Sequence, residues 1–145
     1  MYQGSCLCGA VKYEIDIRDT RLKTITHCHC SMCRKAHGAA FGSYVAVPAR
    51  AFRFAQGDKL VASYRSSGQV VRRFCQRCGS TLTWQDQERF KDWISVTVGT
   101  LDTPLDYMPQ QHAFTWSKAD WHEIRDNFQK HRYGVPALAA NRTAI

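Results

Sequence analysis

Seven cysteines in three tight clusters constrain this chain more than any other feature. They read Cys6-Leu7-Cys8-Gly9, Cys28-His29-Cys30-Ser31-Met32-Cys33 and Cys75-Gln76-Arg77-Cys78-Gly79. An odd count leaves one sulfur over in any scheme of disulfides. The opening Met1-Tyr2-Gln3-Gly4-Ser5 has no basic stretch running into an apolar one, so no secretory signal is visible and a cytoplasmic protein is expected. In that reducing setting thiols stay free, and metal is the default use of clustered cysteines.

The first and third clusters share a design. Each places two sulfurs on a short turn, and a glycine follows the second sulfur. Glycine tolerates a left-handed backbone, which lets neighbouring N–H groups point at the sulfurs and offset their charge. Two such turns brought together supply the four thiolates of a closed, tetrahedral zinc site built from Cys6, Cys8, Cys75 and Cys78. Such a site ties the N-terminal hairpin to the middle of the domain. The plainer reading is two unrelated buried pairs.

The middle cluster differs. Cys28, Cys30 and Cys33 can face one ion if an extended segment runs into a turn or a helix start. On an extended backbone Cys28 and Cys30 share a face, while His27 and His29 point the other way and flank the site rather than bind the ion. Three protein ligands leave a fourth position for water or substrate, as a catalytic zinc requires. A remote side chain, His37 or His112, could instead close the site and make it structural. The cysteines then divide four and three, with two Zn²⁺ per chain. Pairing Cys28 and Cys30 with Cys75 and Cys78 is also chemically possible.

The chain has 145 residues, one domain's length, with a domain over 1–135 and a small, polar tail frayed over 136–145. Composition is that of an ordinary globular protein, and the longest apolar stretch, Phe41 to Ala49, is broken by Gly, Ser and Pro. No membrane span is expected. The net charge of +8 suits either a solvated basic surface or an anionic partner. Basic pairs at Arg34-Lys35 and Arg72-Arg73 lie beside cysteines, where they serve a thiolate-rich metal site as well as a ligand.

Mainly β structure is expected. Val11, Tyr13, Ile15 and Ile17 alternate with polar residues, and Leu22 to Thr26 reads as their partner across a turn at Arg18-Asp19-Thr20. Further strands are expected over Phe41 to Val47, Leu60 to Tyr64, Gln69 to Phe74, Thr81 to Trp84 and Trp93 to Val98, six to eight in all. Ser66-Ser67-Gly68 marks a hairpin, and Val98 to Pro104 a turn. Trp121, Ile124 and Phe128 recur at helical spacing behind Ser117-Lys118-Ala119-Asp120, which predicts one short C-terminal helix.

Together, Gly4-Ser5-Cys6-Leu7-Cys8-Gly9, Cys28 through Lys35, and Phe74 through Ser80 resemble the family of glutathione-dependent formaldehyde-activating enzymes and centromere protein V. Val98 to Asp102 and His112 to Lys118 are also similar to it, so the likeness runs over roughly residues 4 to 124. It implies an Mss-four-like, zinc-bound fold of several short antiparallel sheets. It implies Cys6, Cys8, Cys75 and Cys78 on a structural zinc and Cys28, Cys30 and Cys33 on a catalytic one. It further implies formation of S-hydroxymethylglutathione from glutathione and formaldehyde, a carbon–sulfur lyase activity. Ala113 departs from the Ile that usually follows the family's His, and Phe128-Gln129-Lys130-His131 replaces a Leu-Pro segment.

Zinc has no redox role, so the chemistry open to such a site is Lewis-acid catalysis or thiol activation. A small thiol of the glutathione type, with Arg34, Lys35 and Arg72 as partners for its carboxylates, and an aldehyde are the expected ligands. A non-catalytic zinc-stabilised scaffold or binding module is the competing class. Nucleic acid is disfavoured as a partner, because the Trp and Tyr residues fall mostly at alternating, core-like positions rather than on a stacking platform.

Overall fold

Gly4 faces Tyr13 across the first strand pair, and this contact organises the N-terminal sheet. The structure, a computed structural model, describes residues 1–17 and 22–135. Strand β1 (Tyr2–Ser5) pairs antiparallel with β2 (Lys12–Ile15), which pairs on its other side with β5 (Phe52–Gln56). The predicted alternation is present: Val11, Tyr13, Ile15 and Ile17 are all buried. The partner differs from the expected Leu22 to Thr26. A side chain at position 4 would run into the Tyr13 ring, so glycine admits β1 there, and on the other side Phe52 packs on Tyr13 with ring centroids 5.3 Å apart. The expected turn at Arg18-Asp19-Thr20 and the tail over 136–145 lie outside the described residues.

Two units make up the chain: Met1–Ile25 with Ser43–Pro109, and Thr26–Gly42 with the chain from Gln110 onward. In the first unit a second sheet runs in the order β4 (Gly42–Pro48), β9 (Trp93–Thr97), β8 (Thr81–Asp86), β7 (Val70–Cys75), β6 (Val61–Ser67), with antiparallel pairings. The expected β6–β7 hairpin is present, but it turns at Gly68-Gln69, with Gly68 at φ 46°, and Ser66 and Ser67 of the predicted turn belong to β6. Its core gathers Val11, Tyr13, Ile15, Val45, Val47, Leu82, Ile94 and Val96 with Cys6 and Cys75. The first metal-type cysteines are thus part of the apolar core.

The second unit holds β3 (Ile25–Cys28), β10 (Gln110–Ala113) and β11 (Gln129–Lys130), in the order β11, β10, β3, the first two parallel. It also holds α1 (Ser31–His37), the one α-helix among the described residues. The mainly β architecture with a single short helix is therefore as expected, but the helix is not C-terminal.

Residues 118–128 are instead irregular, with a turn at Asp120-Trp121, after a 3₁₀ turn at Thr115–Ser117. Their polar groups are spent on local bonds that compete with a helix. Lys118 Nζ donates to the carbonyls of Ala119 and His122, and the Asp126 carboxylate accepts from the Phe128 N–H. Trp121, meant for the apolar face, is 73% exposed. Trp116, Tyr64, Tyr107 and Tyr133 are exposed as well, so the aromatics are less core-like than their spacing suggests.

Candidate metal centres

The outer two cysteine turns converge within the first unit. Cys6 and Cys8 sit on the turn between β1 and β2, and Cys75 and Cys78 on the turn between β7 and β8. The glycines behave as their position demands: Gly9 has φ 71° and Gly79 φ 77°, and each N–H closes its turn onto the carbonyl of Cys6 or Cys75. All four sulfurs lie within 4.8 Å of one another. Cys6 and Cys8 are 3.5 Å apart and Cys8 and Cys75 are 3.9 Å apart. A tetrahedron of sulfurs around Zn²⁺ has edges of about 3.8 Å. The donor set therefore fits a closed four-thiolate site.

Ser80 was not singled out in the sequence, yet it joins the two turns. Its hydroxyl accepts from Leu7 N–H at 2.9 Å and lies 3.3 Å from Cys78 Sγ. Bonds from the Ser80 hydroxyl and backbone pull the Cys78 thiol down to about 5, favouring the thiolate a metal needs.

The middle cluster forms where β3 ends and α1 begins. Cys30 is the helix N-cap, its sulfur accepting from Cys33 N–H at 3.4 Å. That cap turns the extended chain into the helix and brings the Cys33 sulfur round to Cys28 and Cys30. The three sulfurs lie within 4.8 Å of one another, with no His, Asp or Glu in the group. Hydrogen bonds with Cys30 and Cys33, together with burial, push the Cys28 thiol well above its usual range. Three sulfurs so close cannot all ionise without a cation between them. The cluster is suited to a metal, and the alternative pairing of Cys28 and Cys30 with Cys75 and Cys78 is not the one the fold adopts.

His112, considered as a closing ligand, has both ring nitrogens engaged. Nδ1 lies 2.8 Å from His29 Nε2, and Nε2 lies 3.0 and 3.1 Å from the two oxygens of Asp126. Burial holds His29 down to about 4 and lowers His112 too, against the opposing pull of Asp126. Burial therefore favours the neutral form of both imidazoles. The sequence carried little signal for this chain of three: residues 29, 112 and 126 share no local pattern, and only the fold joins them.

The basic residues belong to different units. Arg34 and Lys35 lie on α1, where Arg34 Nε donates to the His29 carbonyl at 3.3 Å and Lys35 is exposed. Arg72 belongs to the first unit and is 6% exposed, donating to Ser66 Oγ at 3.0 Å and to the Tyr44 hydroxyl at 3.4 Å.

The sequence profile of the glutathione-dependent formaldehyde-activating enzymes matches residues 1–117, a span that includes both cysteine groups. The chain belongs to this family. An uncharacterized lyase of Schizosaccharomyces pombe is 33% identical over 86 residues, covering 56% of this chain and 55% of that protein. The match thus spans about half the length of this curated relative. A crystal structure of a Rhodobacter sphaeroides protein superposes with a TM-score of 0.60 at 23% identity, covering 74% of this chain and 98% of the other. At that identity the likeness concerns the fold alone. No helix among the described residues is long and apolar enough to cross a membrane, which leaves β-barrels unaddressed.

Proposed function

We propose that this chain is a zinc-dependent enzyme that adds a glutathione-like thiol to a small aldehyde such as formaldehyde, a carbon–sulfur lyase reaction read in its synthetic direction. One Zn²⁺ would be held closed by Cys6, Cys8, Cys75 and Cys78, and a second held open by Cys28, Cys30 and Cys33. The observation that carries the reading is the second group: three sulfurs gathered at a helix cap with no fourth His, Asp or Glu beside them among the described residues.

In the reaction the thiol sulfur bonds to the carbonyl carbon, the carbonyl π pair moves to oxygen, and the thiol proton ends on that oxygen. Zinc at an open three-thiolate site would supply a lowered thiol pKa or a polarised carbonyl. The protein's part is to hold and orient. Arg34 and Lys35, on the helix that carries Cys33, would supply positive charge for the carboxylates of an acidic thiol. Arg72 was grouped with them on sequence grounds; its burial and its bonds to Ser66 and Tyr44 suit a support for β7 better. The family membership and the lyase name borne by the yeast relative support the reaction class. A glutathione-type thiol also suits the cytoplasmic setting proposed for the chain.

The exposed Trp116 and Trp121 favour a second reading, a binding module that uses the zinc domain as a scaffold. One experiment separates the two. Exchange spectroscopy at equilibrium compares zinc-loaded protein, Cys30→Ala and buffer under identical glutathione and formaldehyde, because the uncatalysed addition is already fast. Acceleration by the zinc-loaded protein that vanishes in Cys30→Ala supports the enzyme. Equal exchange in all three, with no glutathione binding by calorimetry, sinks it in favour of the module.

A further inference from the structure

His29 stands between two of the proposed metal ligands and is held at every polar atom except one. Its N–H donates to the Ala113 carbonyl at 2.9 Å. Its carbonyl accepts from Arg34 Nε at 3.3 Å and from the Ser117 hydroxyl at 3.4 Å. Its ring is fully buried, with Nε2 against His112 Nδ1 at 2.8 Å. Nδ1 alone is buried without a hydrogen-bond partner.

The protons on this chain follow from its far end. A carboxylate only accepts, so the ring proton of His112 must sit on Nε2, facing Asp126. His112 Nδ1 is then the acceptor, and His29 must donate from Nε2. That leaves Nδ1 of His29 as the bare lone pair. The buried, unpartnered Nδ1 agrees with this assignment, since an orphaned N–H is the rarer and more costly thing to bury. Asp126 is itself fixed: Phe128 N–H donates to its carboxylate at 3.0 Å, and Lys130 Nζ donates to its backbone carbonyl at 2.7 Å.

We propose that Asp126, acting through His112, is a positioning residue for the three-cysteine centre, setting the tautomer of His29 and thereby the backbone that aims Cys28 and Cys30 at one ion. The proposal rests on reading that cluster as a metal site. Its physical basis is that residues i and i+2 of an extended segment point where the residue between them directs. A ring anchored through a two-histidine chain holds residue 29 in one conformation. Loss of hydrogen bonds made directly to metal ligands typically weakens metal binding ten- to a hundredfold, which sets the upper range for a chain that acts through the backbone between two ligands. The whole device lies within the second unit, drawing on β3, β10 and the turn at Asp126.

Nitrogen-15 NMR of the imidazoles in the zinc-loaded, full-length protein reads the tautomers directly. The expected spectrum has both His112 and His29 protonated on Nε2 and His29 bare on Nδ1. A His29 protonated on Nδ1 in the unsubstituted protein overturns the proposal without any variant. In Asp126→Ala, His29 should populate both tautomers. Co²⁺ binding by the three cysteines, read as the thiolate-to-cobalt absorption that Cys30→Ala lacks, should weaken, by up to about ten- to a hundredfold. Asp126→Glu should restore both readouts, which a general loss of stability does not predict. Unchanged His29 signals and unchanged Co²⁺ affinity in Asp126→Ala overturn the positioning role while leaving the metal centre standing. If the unsubstituted protein takes up no Co²⁺ at these cysteines, the metal reading falls and this inference with it.

Discussion

Cys8 and Cys75 stand 67 residues apart in the chain, yet their sulfurs are 3.9 Å apart. Two hairpin turns from different sheets are held there, so any ion they share cross-links the β1–β2 turn to the β7–β8 turn. Cys6 and Cys75 belong to the apolar core at the same time. Binding of an ion there would therefore be coupled to core packing in the first unit.

Cys78→Ala should prevent the first unit from folding stably. Structural zinc in small sites contributes about 10–16 kcal/mol, as large as the whole margin of a typical domain. Near-UV circular dichroism and thermal melting give the readout. A cooperative melt at the unsubstituted temperature would falsify the four-cysteine assignment.

Cys30→Ala should behave differently. It should lower bound zinc from about two per chain to about one, because the other cluster is untouched. Most of the fold should survive, with an added loss of about 1 kcal/mol because Cys30 also caps α1. Metal analysis beside a melting curve checks both parts. An unfolded Cys30→Ala protein would mean that this cluster is structural as well.

Gly4→Ala should destabilise the N-terminal sheet by at least the 1–3 kcal/mol usual for overpacking, about 3 kcal/mol or more where backbone must move. The new methyl would meet the Tyr13 ring and the Thr100 carbonyl at once, and the latter cannot swing away. Urea titration decides the matter, and an unchanged midpoint would contradict this packing.

Tyr13 predicts a particular alkaline behaviour. Burial pushes its phenol up to about 12 from the usual 10, against a downward pull from the Thr100 hydroxyl. The folded pKa lies above the unfolded one, so the neutral phenol's contribution is complete below about pH 10 and lost as pH rises through about 12. Two units amount to about 3 kcal/mol. Tyr13→Phe should lose about 1 kcal/mol at neutral pH, for the 2.8 Å bond to Thr100, and should shed the alkaline decline. Identical stability–pH curves for the two proteins would show that Tyr13 plays no part in it.

Local grammar was readable where the physics is local. The C-x-C-G and C-x-x-C-G turns, the alternation from Val11 to Ile17, and the hairpin at Gly68 each depend on a few neighbouring residues, and each stands in the fold. The C-terminal helix failed because periodicity at Trp121, Ile124 and Phe128 says nothing of competitors. Lys118 and Asp126 capture carbonyls and N–H groups that a helix would need, and Trp121 has no core to cover.

By itself, then, the sequence determined the chemistry of the ligands, their grouping into tight turns and the largely β character of the chain. Spacing constrains sulfurs only a few bonds apart, and alternation constrains which side of a strand is apolar. Only the tertiary structure decided that Cys6 and Cys8 meet Cys75 and Cys78, that β2 pairs with β1 and β5, and that Asp126 reaches His29 through His112. Cys8 to Cys75, β2 to β5 and His29 to His112 each span tens of positions. Those choices are settled by which surfaces pack with least strain: a missing side chain at Gly4, a phenylalanine over Tyr13, a carboxylate that can only accept.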